Sequence, residues 1–278
     1  MDRIVPIPTL HLFPVLNDLL IYLLRSLQPE DWYKQTTAPK WLVKDVVAHL
    51  LDTNMRDIAA ANNYSGTPPQ NINSYRDLVD YLNELNAIWV KAMDRVSPQQ
   101  LVDLLETTGP EYHRYLDSLP PFDKARYAVS WAGEAESENW FHVAREYTEK
   151  WHHQQQIRDA VGKPGIMHRE LFYPCIDTFM RALPHTYRNV TAPEGTLIKM
   201  TVSTDAGGDW FLLYHSGEWI MPGNIDGGTP RATVALTPDT SWKLFTKGMN
   251  AADAMAKSEL IGDDRLTHPL FGMLSVMA

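Results

Sequence analysis

A change of hydrophobic period near residues 162–165 constrains this chain most, because helices and strands bury apolar residues at different spacings. Before that point the apolar residues recur every three or four positions. They run Leu16, Leu19, Leu20, Leu23, Leu24; then Leu42, Val46, Val47, Leu50; then Leu78, Tyr81, Leu82, Leu85, Ile88, Trp89. That spacing makes one-sided helices, and four or five in succession predict an up-and-down bundle. After it, Ile198, Met200 and Val202 alternate with Lys199, Thr201 and Ser203, the period of a strand. At roughly 150 residues per domain, 278 residues suit two. We read residues 1–166 as a mainly α four-helix bundle and residues 167–278 as a smaller α+β domain with an antiparallel sheet.

Local punctuation refines this reading. Ser97-Pro98-Gln99-Gln100 offers a capping serine, a proline at the first helical position and a glutamine placed for a capping box. Residues 62–73 (NNYSGTPPQNIN) are turn formers and predict a loop between the second and third long helices. A further helix is expected over residues 136–161, stopped by Gly162, Pro164 and Gly165. Residues 205–209 (DAGGD) and the pair Ser216-Gly217 read as turns of a meander, with strands at 210–215 and 218–221 and another at 232–236. Thr237-Pro238 then signals a helix start, with helical stretches beyond it.

Composition removes several functions. Twenty-five basic against 34 acidic residues give a formal charge of −9, which disfavours a general affinity for nucleic acid or anionic membranes. The one cysteine, Cys175, permits no internal disulfide or thiolate metal cluster; in its apolar segment it reads as a small buried hydrophobe. The apolar run at 19–24 (LLIYLL) is too short for a signal peptide or a membrane span, so a cytoplasmic location is expected. No GxSxG elbow, P-loop or GxGxxG occurs.

Chemistry concentrates in residues 136–161 (ESENWFHVAREYTEKWHHQQQIRDAV). His142, Glu146, Glu149 and His153 follow at intervals of four, three and four, so a helix places all four on one face. Val143, Ala144, Tyr147 and Trp151 supply apolar bulk on the other, so burial does not require the polar stripe to face inward. Spacing alone leaves Glu149 and His153 evenly balanced between a solvated face and a pair of metal ligands. His49 is the third candidate, at the edge of the apolar stripe of residues 41–52, where a hydrogen-bonded core histidine is the competing reading. His152, three residues from Glu149, rivals His153; His142 and Glu146 read as exposed or structural. Trp41 and Trp151 are expected in the bundle core.

Residues 41–52 (WLVKDVVAHLLD), with a tryptophan eight positions before a histidine, resemble the second helix of the DinB-like family. More closely, they resemble the mycothiol-dependent maleylpyruvate isomerases. Residues 148–160 (TEKWHHQQQIRDA) resemble a later helix of the same group. The resemblance puts the family's metal ligands on His49, Glu149 and His153, and at the level of pattern it extends to a sterol-carrier-like second domain. It implies a divalent metal, zinc being the expected one. It also implies a low-molecular-weight thiol cosubstrate (mycothiol, bacillithiol or glutathione) and a small-molecule substrate. In those isomerases the thiolate adds to the double bond of maleylpyruvate, the new single bond rotates, and elimination gives fumarylpyruvate. Where the family uses an arginine of the second domain for the acidic substrate, residues 242–249 (WKLFTKGM) offer Lys243 and Lys247. A lysine lacks the bidentate fork of arginine, so the activity expected is an isomerase or a thiol S-transferase. Arg158, Arg231 and Arg265 read as surface charges. A metal-dependent hydrolase on the same ligands, or a noncatalytic ligand-binding protein, are the rival readings, and a homodimer is compatible with such a bundle.

Overall fold

The computed structural model describes residues 3–64, 66, 72–223 and 227–277, so residues 65 and 67–71 of the expected 62–73 loop lie outside the described residues. Helices α1 (Leu12–Arg25), α2 (Val43–Ala61), α3 (Tyr75–Met93), α4 (Pro98–Asp117) and α5 (Asn139–Val161) come first. The start of α4 follows the capping expectation: Ser97 Oγ accepts from Gln100 N at 3.2 Å while Gln100 Oε1 accepts from Ser97 N at 3.2 Å. Helix α5 stops where Gly162 takes φ 67°, a left-handed conformation that glycine adopts without steric cost. Helices α1, α2, α4 and α5 form the bundle, and α3, which buries no residue fully, leans on the outside of α2.

Helices α6 (Arg169–Met180) and α7 (Leu183–Tyr187) lead into strands β1 (Leu197–Val202), β2 (Gly208–His215), β3 (Glu218–Ile220) and β4 (Ala232–Leu236). Helices α8 (Pro238–Phe245) and α9 (Ala251–Ala256), strand β5 (Glu259–Gly262) and helix α10 (Asp264–Thr267) follow. Strands β1 to β3 make the expected antiparallel meander. The sheet as a whole is mixed, however, in the order β3-β2-β1-β4-β5, because β4 lies parallel to β1 with Met200 opposite Val234. The chain returns to the far side of β1 before β4, and β5 then adds antiparallel to β4 from a stretch that had read as helical.

Helix α5 is buried on nearly every side, unlike an amphipathic surface helix. On the bundle side Ile157 packs with Leu20, Leu24, Val47, Leu50 and Leu105. On the other, Trp151 meets Phe172 of α6 at 5.3 Å and Trp242 of α8 at 6.3 Å. One apolar core thus joins Phe13, Tyr112, Tyr147 and Trp151 to Phe179, Met200 and Val234 of the sheet region. The fully buried Trp151 is central to it; truncating such a residue to alanine costs about 3–5 kcal/mol. Cys175 is buried in this core as expected. Among the described residues no helix is long and apolar enough to cross a membrane.

Candidate metal centre

Helices α2 and α5 bring the three expected ligands together. One ligand atom from each of His49, Glu149 and His153 lies within 4.8 Å of the others. On α5 the pair is separated by one helical turn, which sets Glu149 Oε2 3.5 Å from His153 Nε2. Helix α2 carries His49 across from them, its ring edge-on to His153 with centroids 4.7 Å apart. Trp41, half-buried, packs against the bundle core as expected and also lines the cluster, its ring 4.7 Å from that of His49 and 5.9 Å from that of His153. It forms an apolar wall behind both imidazoles.

Electrostatics favour ligands in their metal-binding protonation states. Burial, reinforced by His153, holds His49 well below the usual imidazole range, so its ring is neutral at neutral pH. Burial raises the Glu149 carboxyl, whereas a proton on His152 or His153 and the charge of Arg145 lower it, and the lowering prevails. The buried Nδ1 of His49 has no hydrogen-bond partner, and among the described residues the ion-pair partners of Glu149 are imidazoles. An orphaned imidazole nitrogen beside a carboxylate and a second imidazole is a donor set that fits a divalent cation such as zinc.

His152 is stacked on His153 with centroids 3.9 Å apart, and its Nε2 lies 4.0 Å from Glu149 Oε2. Its Nδ1 meets the backbone oxygen of Thr148 at 2.8 Å, and burial pushes the ring down to about 3. It flanks the trio without joining it.

The rest of the polar stripe departs from the exposed reading, because His142 and Glu146 are both buried and both engaged. Arg145 donates to Glu146 Oε1 and lies 2.9 Å from His142 Nδ1, while Tyr112 Oη donates to Glu146 Oε2 at 2.9 Å. Arg158, too, is no surface charge: it is buried and donates to the carbonyls of Lys163, Pro164 and Leu19 at 3.0–3.2 Å. Arg231 and Arg265 are exposed, Arg265 pairing with Asp263 at 2.7 Å.

Three residues beyond the expected set shape the surroundings. Lys150 Nζ donates to Leu50 O at 3.0 Å and Asn54 Oδ1 at 2.5 Å, tying α5 to α2 beside both ligand-bearing turns. Asp57 on α2 is pushed up to about 7 by burial and by Glu146. Gln156 Oε1 lies 2.9 Å from His153 Nδ1. The three-residue spacing of His153 and Gln156 was visible in the glutamine run at 154–156, whereas the Lys150 and Asp57 contacts depend on helix packing. Of the two lysines noted in the second region, Lys243 is held by Asp159 at 3.3 Å and Asp239 at 3.0 Å. Lys247, at φ 64°, comes within electrostatic reach of Glu149 and donates to Met277 O at 3.3 Å.

A helical bundle of the DinB-like type, carrying a His-Glu-His cluster and joined to an α+β region, is the class of protein this fold defines. The chain belongs to the mycothiol maleylpyruvate isomerase N-terminal domain family, whose model matches residues 16–158, just over half its length. Among solved structures it is similar to a histidine-to-alanine mutant of the mycothiol-dependent maleylpyruvate isomerase, at 11% identity and a TM-score of 0.50, covering 84% of this chain and 86% of that one. A second structure of that isomerase matches at 13% identity and a TM-score of 0.47, with the same coverage. At such an identity the first of these shows the fold alone. No curated protein matches the sequence significantly.

Proposed function

We propose that His49, Glu149 and His153 hold a divalent metal, zinc in the first instance, and that the chain is a thiol-dependent enzyme acting on a small electrophile. The observation that carries this reading is the meeting of three ligand atoms from two helices within 4.8 Å, around an imidazole nitrogen without a partner. When bound, the cation would lower the pKa of a thiol and hold it as thiolate near neutral pH. Glu149 would offset one charge of a divalent ion and the neutral ring of His49 none, so the site would keep a net positive charge with the ion in place. Trp41 limits water on one side of the ligands. Lys247 puts a positive charge near Glu149, suited to an acidic substrate, whereas Lys243 is already committed to two aspartates.

The family of the chain supports isomerisation of a cis double bond by thiol addition and elimination, with S-transfer to an electrophile as the neighbouring reaction. We read residues 1–166 as the metal-binding unit and 167–278 as the unit that brings Lys247. The test is consumption of maleylpyruvate, and of a generic electrophile, by zinc-loaded protein with mycothiol, bacillithiol or glutathione in turn. Turnover that requires one thiol supports the proposal. Turnover that proceeds without any thiol would move the assignment to a hydrolase.

A further inference from the structure

We infer that Gln156 is a positioning residue that fixes the tautomer of His153 and so turns the Nε2 lone pair toward Glu149. The inference rests on the metal reading above only for its purpose; the tautomer itself is a property of the metal-free chain.

Gln156 lies one helical turn beyond His153 and is almost fully buried. Its side-chain oxygen Oε1 is 2.9 Å from His153 Nδ1. An amide oxygen can only accept, so Nδ1 carries the proton. A neutral imidazole has one N–H, which leaves Nε2 with a lone pair and no hydrogen. That bare nitrogen faces Glu149 Oε2 at 3.5 Å, another acceptor. Two acceptors at this distance repel until a cation comes between them, and His49 Nδ1 lies buried without a partner in the same cluster. Gln156 thus keeps His153 in the form in which Nε2 is free to bind a metal.

His152 supplies an internal standard. Its Nδ1 meets the backbone oxygen of Thr148 at 2.8 Å, so its tautomer is set by a main-chain carbonyl that no side-chain substitution removes. Replacing Gln156 should therefore alter His153 and leave His152 as it was. A general loosening of the helix would disturb both.

The experiment is long-range proton–nitrogen correlation of the imidazoles in metal-free protein at about pH 8, above the ordinary imidazole range, together with zinc titration by calorimetry. Wild type should show His153 with a protonated Nδ1. Gln156→Met, similar in length but without an amide oxygen, should show an Nε2–H population at His153 with His152 unchanged, and its zinc Kd should rise about 10–100-fold, the usual effect of losing such a supporting hydrogen bond. Gln156→Glu, which retains an acceptor, should restore the Nδ1–H form and most of the affinity. The inference is overturned if wild-type His153 carries its proton on Nε2, with the amide turned to donate to Nδ1, or if Gln156→Met alters neither spectrum nor affinity. Should Gln156→Met fail to fold, the wild-type spectrum and the Glu variant still decide. Wild type that binds no zinc yet shows the Nδ1–H form at His153 would defeat the metal reading and leave the tautomer assignment standing.

Discussion

Two carboxylates on helix α5, the buried Glu146 and the partly buried Glu149, sit one turn apart and have opposite company. Glu146 is answered from within the protein: Arg145 and the hydroxyl of Tyr112 bond it, and against its burial the Arg145 guanidinium holds it below the usual carboxylate range. Glu149 faces the nitrogens of His152 and His153, with His49 beyond. On the metal reading proposed above, a cation would complete the second cluster, whereas the first is completed within the protein. Burying a carboxylate is costly unless it is paired. The same helix thus carries one cluster closed for structure and one that we propose for a metal.

The largest expected effect tests the closed site. Arg145→Met leaves Glu146 buried and unpaired and should cost about 3–5 kcal/mol in urea unfolding, the range for breaking a buried ion pair. Next, saturating zinc should raise the stability of wild type by about 3–4 kcal/mol at 100- to 1,000-fold excess over Kd. Glu149→Gln should abolish that gain, while Arg145→Met should keep part of it, which sharpens the division between the two sites.

In the closed cluster acid should act through His142. Burial, helped by Arg145, pushes His142 down to about 4. The unfolded chain therefore takes up its proton near pH 6.5 and the native chain only near pH 4, roughly, so stability falls as pH drops through that window. His142→Asn should remove on the order of 2 kcal/mol of this pH dependence in a denaturation series. The smallest effect belongs to Asp57. Its carboxyl is raised to about 7 by burial and Glu146, so stability is lost as pH climbs from the unfolded value toward neutrality. Asp57→Asn should stabilise the protein by on the order of 1 kcal/mol near pH 8, a gain that fades toward pH 4. A gain that is equal at both pH values would contradict the role given to Asp57.

Much of this was legible in the chain, for local reasons. The Ser97–Gln100 box and the Gly162 stop are written in neighbouring residues, and both bound their helices where expected. Glu149 and His153 share a face because the helical period forces it. His49 could be joined to them only through the resemblance, since the crossing of α2 and α5 is fixed by packing between distant segments. The same limit explains the sheet: alternation marks β1 and β4 as strands, but nothing local states that they run parallel. Strand β5, four residues long and without clean alternation, gave no signal. The polar stripe of α5 misled in the other direction. His142 and Glu146 look like a solvated face, and their burial becomes affordable only with Arg145 and Tyr112 in place, the latter from another helix.

Metal content tests the proposed centre most directly. Protein purified without chelator should carry close to one divalent ion per chain by elemental analysis, and dialysis against a chelator followed by zinc titration should recover one site. His49→Ala, Glu149→Ala and His153→Ala should each weaken that site at least 100-fold, while His152→Ala, outside the trio, should retain it. A wild-type chain that binds no zinc, or three folded alanine variants that bind it as tightly as wild type, would contradict the assignment of an open metal centre.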